Sequence, residues 1–159
     1  PVFKVNPPLR PSEDVEAVRA ALRDRTIDAV ATDHAPHARH DKEHAFVDAA
    51  YGMLGLETAL AVVADVMLGE GFGWGDIARV MSVAPAVIAG LEQHGRPIAP
   101  GEPANLVLID PAAQRTINAA TSRSLSRNNP WHGMTFTGAV HTTILRGRVT
   151  ATEGAPTSC

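Results

Sequence analysis

The sequence predicts an α/β fold built on a parallel sheet, and three observations lead there. Val2-Phe3-Lys4-Val5 and Ile27-Asp28-Ala29-Val30-Ala31-Thr32 are short apolar runs, and the segment between them has helical periodicity. Strand, helix and strand in such quick succession form the βαβ pattern. The second run ends abruptly in Asp33-His34-Ala35-Pro36-His37, and in α/β folds the carboxyl ends of strands face the site. Beyond Gly95 the chain turns β-rich, which predicts a small additional sheet.

Taken in order, Val2 to Val5 is expected to be a strand, stopped by Asn6-Pro7-Pro8 because proline withdraws backbone donors. Ser12 is the expected N-cap of a helix reaching about Asp24. Acidic Glu13 and Asp14 fill its first turn, where the helix dipole favours them, and Val15, Val18, Ala21 and Leu22 form one apolar stripe. Ile27 to Thr32 follows as a short buried strand, and Pro36 biases Ala35 towards an extended backbone. Ala38 to Ala50 is polar and reads as a surface loop, long enough to suggest a functional one.

A second helix is expected over Gly55 to Leu68, with Leu56, Leu60, Val63 and Met67 on one face and Gly69 and Gly71 closing it. Trp74 to Met81 and Ala84 to Ala89 read as two short helices, Pro85 being acceptable in a first turn. Turn residues from Arg96 to Pro103 lead into a strand at Ala104 to Asp110. Thr135 to Thr152 alternates as a two-stranded hairpin broken at Gly138 and Gly147. The division expected is thus 1–94, with βα units, and 95–159, β-rich.

Composition narrows the classes. With 159 residues, 45% hydrophobic and 19% charged, the chain has the make-up of a globular domain with a real core. The net charge is −3 and the basic residues are scattered, which argues against a nucleic-acid partner or a membrane-attracting patch. The single cysteine, Cys159, rules out an intrachain disulfide and fits a reducing compartment, so a cytoplasmic location is expected. The chain opens at Pro1 without a methionine, which suits either methionine removal or a start inside a larger protein.

Asp33 is the first chemical candidate. A carboxylate at a strand end can hold a metal ion or accept a proton, but aspartate also caps turns, and position alone leaves both readings open. His34, His37, His40 and His44 share one loop, and imidazole is the commonest transition-metal ligand. Only His40 and His44 have i, i+4 spacing, in a weakly helical stretch, and for those two a solvated loop is preferred. Asn6 follows the other strand at the equivalent end, where its amide suits recognition of a carboxylate or amide. Tyr51-Gly52 closes the long loop, and a glycine there lets backbone approach a ligand or simply makes the turn. No glycine-rich phosphate loop, Gly-x-Ser-x-Gly elbow or cysteine-based site is present.

Val5-Asn6-Pro7-Pro8-Leu9-Arg10, the Ile27 to His37 run, and Gly52-Met53-Leu54-Gly55-Leu56-Glu57-Thr58 together resemble the C-terminal part of class I dihydroorotase. Ala104 to Asp110 and Asn128-Asn129-Pro130-Trp131 continue the resemblance in order, so that it covers nearly the whole chain. The Asp-His-Ala-Pro-His run is the specific part, whereas strands like Ala104 to Asp110 occur across amidohydrolases. The resemblance implies the last two strands and helices of a TIM (β/α)8 barrel plus strands of a small composite sheet. It implies zinc-dependent, reversible hydrolysis of dihydroorotate to N-carbamoyl-L-aspartate in pyrimidine biosynthesis. Asp33 would ligate zinc and shuttle a proton, Asn6 and His37 would contact substrate, with His37 at its exocyclic carboxylate, and Tyr51 and Gly52 would touch the substrate ring.

One departure limits that expectation. The family's His-x-His strand, bridging lysine or aspartate, and two further histidine ligands belong to earlier barrel strands and have no match here. A catalytic zinc takes about three protein ligands, and only Asp33 matches one. The expectation is therefore a C-terminal portion, inactive by itself and completed by the N-terminal portion of the same enzyme. A homodimer or an aspartate transcarbamoylase partner would be compatible with it. Two other readings stand beside this one: another cyclic amidohydrolase (hydantoinase, dihydropyrimidinase or allantoinase), and a non-catalytic dihydroorotase-like partner of aspartate transcarbamoylase.

Overall fold

Ser12 opens the first helix rather than capping it. In the computed structural model, which describes Pro1–Thr157, α1 spans Ser12–Arg23 with extended Pro11 at the cap position. Proline before the first turn costs nothing, since the N–H it lacks would have had no helical partner. Glu13 and Asp14 occupy the first turn and Arg23 the last, each matching the dipole. Leu22 is buried, while Val15 and Val18 of the same stripe remain exposed. Ile27 N–H returns to Ala21 O at 2.9 Å, folding the chain back along the helix end.

The two strands expected at the start of the chain do not form ladders. Residues 2–5 make a turn, with Lys4 N–H donating to Pro1 O, and residues 27–32 are extended but belong to no strand. Ile27, Ala29 and Val30 are only half-buried. A strand is defined by its neighbours, and these segments make isolated contacts such as Val30 N–H to Val80 O and Gly52 N–H to Lys4 O, with a single parallel bridge just beyond them between His34 and Met53. The loop after His37 is not wholly irregular either, because Arg39–Lys42 forms one helical turn, α2.

α3 spans Ala59–Gly69, four residues later than the periodicity suggested, since Gly55 to Thr58 forms a turn first. The two short helices expected next join in one run: α4 (Trp74–Ala78), a wider π-helical turn (Arg79–Val83) and α5 (Ala84–Ile88). Asp76 accepts from Gly73 N–H at 3.0 Å and closes the N-terminus. Pro85 explains the wide turn. Its ring would press on the carbonyl four residues back, and the π register, with Ala84 N–H reaching Arg79 O, relieves that clash.

The β-rich part is a four-stranded sheet in the order β1 (Leu106–Thr116), β2 (Thr135–Leu145), β3 (Arg148–Thr152), β4 (Ala155–Pro156). β2 and β3 pair antiparallel, as do β3 and β4. Arg146 and Gly147 both have positive φ, 50° and 79°, the conformation of a two-residue hairpin turn. β1 runs beyond the Asp110 end expected for it. Asp110 accepts from Ala112 and Ala113 N–H through Oδ1, which carries the strand past Pro111.

Gly138 does not break β2 as expected but lies within it, at φ +94°. A Cβ there would stand 3.2 Å from Trp74 Cη2. Gly138→Ala therefore combines backbone strain with a tight contact and is expected to destabilise by about 1–3 kcal/mol, read as a lowered Tm.

Contacts divide the chain into two units. The first holds residues 1–27, 31–62 and 116–135, with Leu22, Ala49, Leu54, Ile117 and Ala119 buried. The second holds residues 28–30, 63–115 and the described residues from 136 on, with Met67, Ile77, Val80 and Phe136 at its core. Among the described residues no helix is long and apolar enough to cross a membrane. Cys159 lies outside the described residues.

Candidate active site

Every residue singled out from the sequence falls in the first unit, and His37, Tyr51 and Gly52 are in direct contact. Asp33 stands exposed where the extended segment ends, at φ +44°. That left-handed conformation is uncommon for a side-chain-bearing residue and best tolerated by asparagine and aspartate. Asn6 is also exposed, and its bond to Pro7 is cis.

The two histidines of the Asp-His-Ala-Pro-His run do different work. His34 Nδ1 accepts from the N–H groups of Gly55 (3.2 Å) and Leu56 (3.1 Å). Accepting at Nδ1 makes the ring a neutral imidazole protonated at Nε2. With Ala35 N–H donating to Met53 O, this fastens the run to the turn that precedes α3. His37 instead places Nε2 2.6 Å from Tyr51 O. A carbonyl only accepts, so Nε2 carries the proton and Nδ1 is the nitrogen left for a ligand. The His37 backbone is held on both sides, its N–H by Ser126 Oγ at 3.2 Å and its C=O by the same hydroxyl at 2.6 Å.

Gly52 is where this contact becomes possible. It has φ +132°, and a Cβ there would lie 2.5 Å from Ala35 Cβ and 2.9 Å from His37 Nε2. Both its polar groups are already used. Its N–H donates to Lys4 O at 2.9 Å, and its carbonyl accepts from Lys42 Nζ at 2.9 Å and Asn128 Nδ2 at 3.2 Å. The Tyr51 ring is exposed, with the Lys4 ammonium 4.4 Å from its centroid. Lys4 Nζ also donates to Val47 O at 2.7 Å.

The sequence reading missed Lys42, Ser126 and Asn128. All three are buried polar residues that hold the His37–Gly52 contact in place. Asn128 Nδ2 also donates to Ala35 O at 3.1 Å, and its Oδ1 lies against Ser126 Oγ, whose single proton is shared between that oxygen and His37 O. Asn128-Asn129 supplied the one usable signal, a polar pair inside the resembling region. A hollow of about 320 Å³ opens beside His37, lined also by Arg39, Lys42, Glu43 and Arg127. Pro1, Val2 and Asn128 complete its lining, and of its charged groups Arg39 Nε is bonded to Glu43 at 2.6 Å.

Asp33 is the carboxylate placed to meet a metal. The exposed Asp33 carboxylate can serve as a single ligand, but among the described residues no three His, Cys, Asp or Glu side chains gather to hold an ion. His34 is committed through Nδ1 to backbone and His37 through Nε2 to Tyr51.

These elements define part of a TIM-barrel hydrolase with an attached antiparallel sheet. The chain belongs to the amidohydrolase family, whose model matches residues 5–150. It is 53% identical over 154 residues to the dihydroorotase of Mycobacterium tuberculosis, and 50% identical over 155 residues to that of Streptomyces coelicolor. These matches cover 96% and 97% of this chain, but the chain spans only 36% of either relative's length. Among solved structures, the L-hydantoinase of Arthrobacter aurescens superposes with a TM-score of 0.91 at 32% identity, over 99% of this chain and 36% of that one. The D-hydantoinase of a Thermus species gives 0.87 at 25% identity, over 98% and 35%. The resemblance to dihydroorotases drawn from the Asp33 and Gly52 motifs thus holds along nearly the whole chain.

Proposed function

We propose that this chain forms part of a dihydroorotase, catalysing zinc-dependent, reversible hydrolysis of dihydroorotate to N-carbamoyl-L-aspartate in the pyrimidine pathway. The observation that carries the reading is His37, which is oriented by Tyr51 O so that Nδ1 is the nitrogen left for a ligand. With Nε2–H donated to Tyr51, only the imidazolium offers a second N–H at Nδ1. A carboxylate is the ligand that favours this form, through a charge-assisted hydrogen bond. Dihydroorotate carries such a carboxylate on its ring, whereas hydantoin does not. The identities of 50–53% to dihydroorotases, against 25–32% to hydantoinases of the same fold, support the same choice.

Asp33 is the proposed catalytic group and the proposed ligand for zinc; the remaining ligands would come from preceding barrel strands of the same enzyme. Bound zinc supplies Lewis-acid polarisation of the scissile amide and activates the attacking water. Asp33 would accept a proton from the attacking water and return it to the departing ring nitrogen, so that this nitrogen leaves as the neutral ureido NH2 of the product. Asn6 and His37 orient the substrate through hydrogen bonds. Gly52 contributes shape rather than hydrogen bonds, since its N–H and C=O both have protein partners. Tyr51 offers the face of its exposed ring.

In this reading residues 1–94 complete the barrel and 95–159 belong to the composite sheet, and the enzyme works in the cytoplasm. Homodimerisation or association with aspartate transcarbamoylase fits this role. With one matching ligand, residues 1–159 in isolation are proposed to be inactive.

The deciding experiment assays the full-length enzyme on dihydroorotate, hydantoin, dihydrouracil and allantoin. A preference for dihydroorotate is expected, and preferential turnover of another ring would refute the reading. Hydantoinase activity is the main alternative, favoured by the hydantoinase fold neighbours. A second test concerns His37. His37→Ala should raise KM for dihydroorotate about 10- to 100-fold, the loss of one hydrogen bond to a charged group, with a smaller effect on kcat.

A further inference from the structure

Lys42 lies in Arg39-His40-Asp41-Lys42-Glu43, a stretch whose composition suits a solvated surface, yet it is only 6% exposed. Its Nζ donates to Ala50 O at 2.7 Å, Gly52 O at 2.9 Å and Lys4 O at 3.4 Å. An ammonium has three donors and no acceptor, so three carbonyls use its whole capacity. Burial, and then the nearby Lys4 ammonium, hold Lys42 below the usual lysine range. A buried ammonium is costly unless its hydrogen bonds are made. An apolar side chain could fill the same space, so the cation is there for the geometry it imposes.

That geometry surrounds Tyr51. Lys42 grips the carbonyl before it, Ala50 O, and the carbonyl after it, Gly52 O. The carbonyl between them, Tyr51 O, engages His37 Nε2. Gly52 N–H and Lys42 Nζ both bond to Lys4 O, which ties the N-terminal segment to the same point. Without the ammonium, Ala50 O would lose its Lys42 donor. The Tyr51–Gly52 peptide would be held only through Gly52 N–H to Lys4 O and, one carbonyl on, by Asn128, a looser frame for aiming Tyr51 O at the imidazole.

We propose that Lys42 is a positioning residue for substrate binding: its ammonium sets the Ala50–Gly52 backbone so that Tyr51 O aims the His37 ring at the ligand. The inference rests on the reading of His37 as a substrate contact. Lys42 itself touches no reacting atom, and its effect is transmitted through two peptide planes and an imidazole.

The test uses Lys42→Met, which keeps the stem and removes the ammonium, and Lys42→Gln, a milder change that retains an amide donor, both in the full-length enzyme. Wild-type enzyme is first assayed on dihydroorotate and hydantoin. If only hydantoin is turned over, the substrate reading fails by itself, and the Lys42 comparison is then made on hydantoin. With dihydroorotate as substrate, Lys42→Met is expected to raise KM about tenfold or more while kcat changes less than about threefold, because misplaced binding groups cost affinity steeply. Lys42→Gln should shift KM in the same direction by less. Nitrogen-15 spectra of His37 should show the Nε2-protonated form losing its dominance in both variants. If Lys42→Met does not fold, Lys42→Gln decides. An unchanged KM and an unchanged His37 spectrum in a folded variant would overturn the proposal. So would a parallel fall in kcat and stability with KM unaltered, which is the mark of a purely structural role.

Discussion

Asp33→Asn in the full-length enzyme is expected to lower kcat on dihydroorotate by about a thousandfold or more, with the fold intact. Proton transfer by a positioned side chain contributes roughly 10²–10⁴-fold, and losing a ligand charge at the proposed zinc would add to this. Asparagine is the informative replacement because of the backbone. Asp33 has φ +44°, and asparagine occupies that left-handed region about as readily as aspartate. Asp33→Ala would mix chemistry with strain of about 1–3 kcal/mol. Steady-state kinetics with thermal unfolding and metal analysis check the result. An Asp33→Asn enzyme within tenfold of wild-type kcat would remove Asp33 from the proposed mechanism.

Gly52→Ala is expected to be the most damaging small substitution in the site. Alanine must adopt φ +132°, and its Cβ must displace Ala35 Cβ at 2.5 Å and His37 Nε2 at 2.9 Å. Backbone strain and overpacking each cost about 1–3 kcal/mol, so a stability loss of about 2–6 kcal/mol is expected, seen as a large drop in Tm. In whatever protein remains folded, His37 is pushed off Tyr51 O, and KM for dihydroorotate should rise more than tenfold. A folded Gly52→Ala enzyme with normal Tm and KM would mean that the His37–Tyr51 contact is unimportant for binding.

How far the fold could be read beforehand depended on where each segment's partners lie. α1 and the Thr135 to Thr152 hairpin were legible because their causes are local: acidic first-turn residues, a periodic stripe, and a glycine at a two-residue turn. Residues 2–5 and 27–32 were read as strands because their composition favours extension, but extension becomes a strand only when neighbours complete the ladder. β1 departs in the opposite sense: a strand over Ala104 to Asp110 was expected, and the Asp110 side chain lets it continue past Pro111.

In the site, the Asp-His-Ala-Pro-His run stood out because its residue types are chemically conspicuous. Lys42 did not, since a lysine among charged neighbours normally faces water. Its burial follows from three backbone carbonyls brought together by distant segments, which no local pattern announces.

The carbonyl of Gly52 has two lone pairs, and Lys42 and Asn128 take one each. Two side chains that share one acceptor are energetically coupled. Removing either leaves the other to re-centre on the oxygen, so the double variant should cost more than the two single losses combined. A double-mutant cycle on Lys42→Met and Asn128→Ala should therefore depart from additivity, whereas either change combined with Gly138→Ala, which belongs to the other unit and shares no partner with them, should simply add. The sharing is confined to that one oxygen: Asn128 can hold Gly52 O when the ammonium is gone, but Ala50 O and Lys4 O lose a donor that Asn128 does not replace.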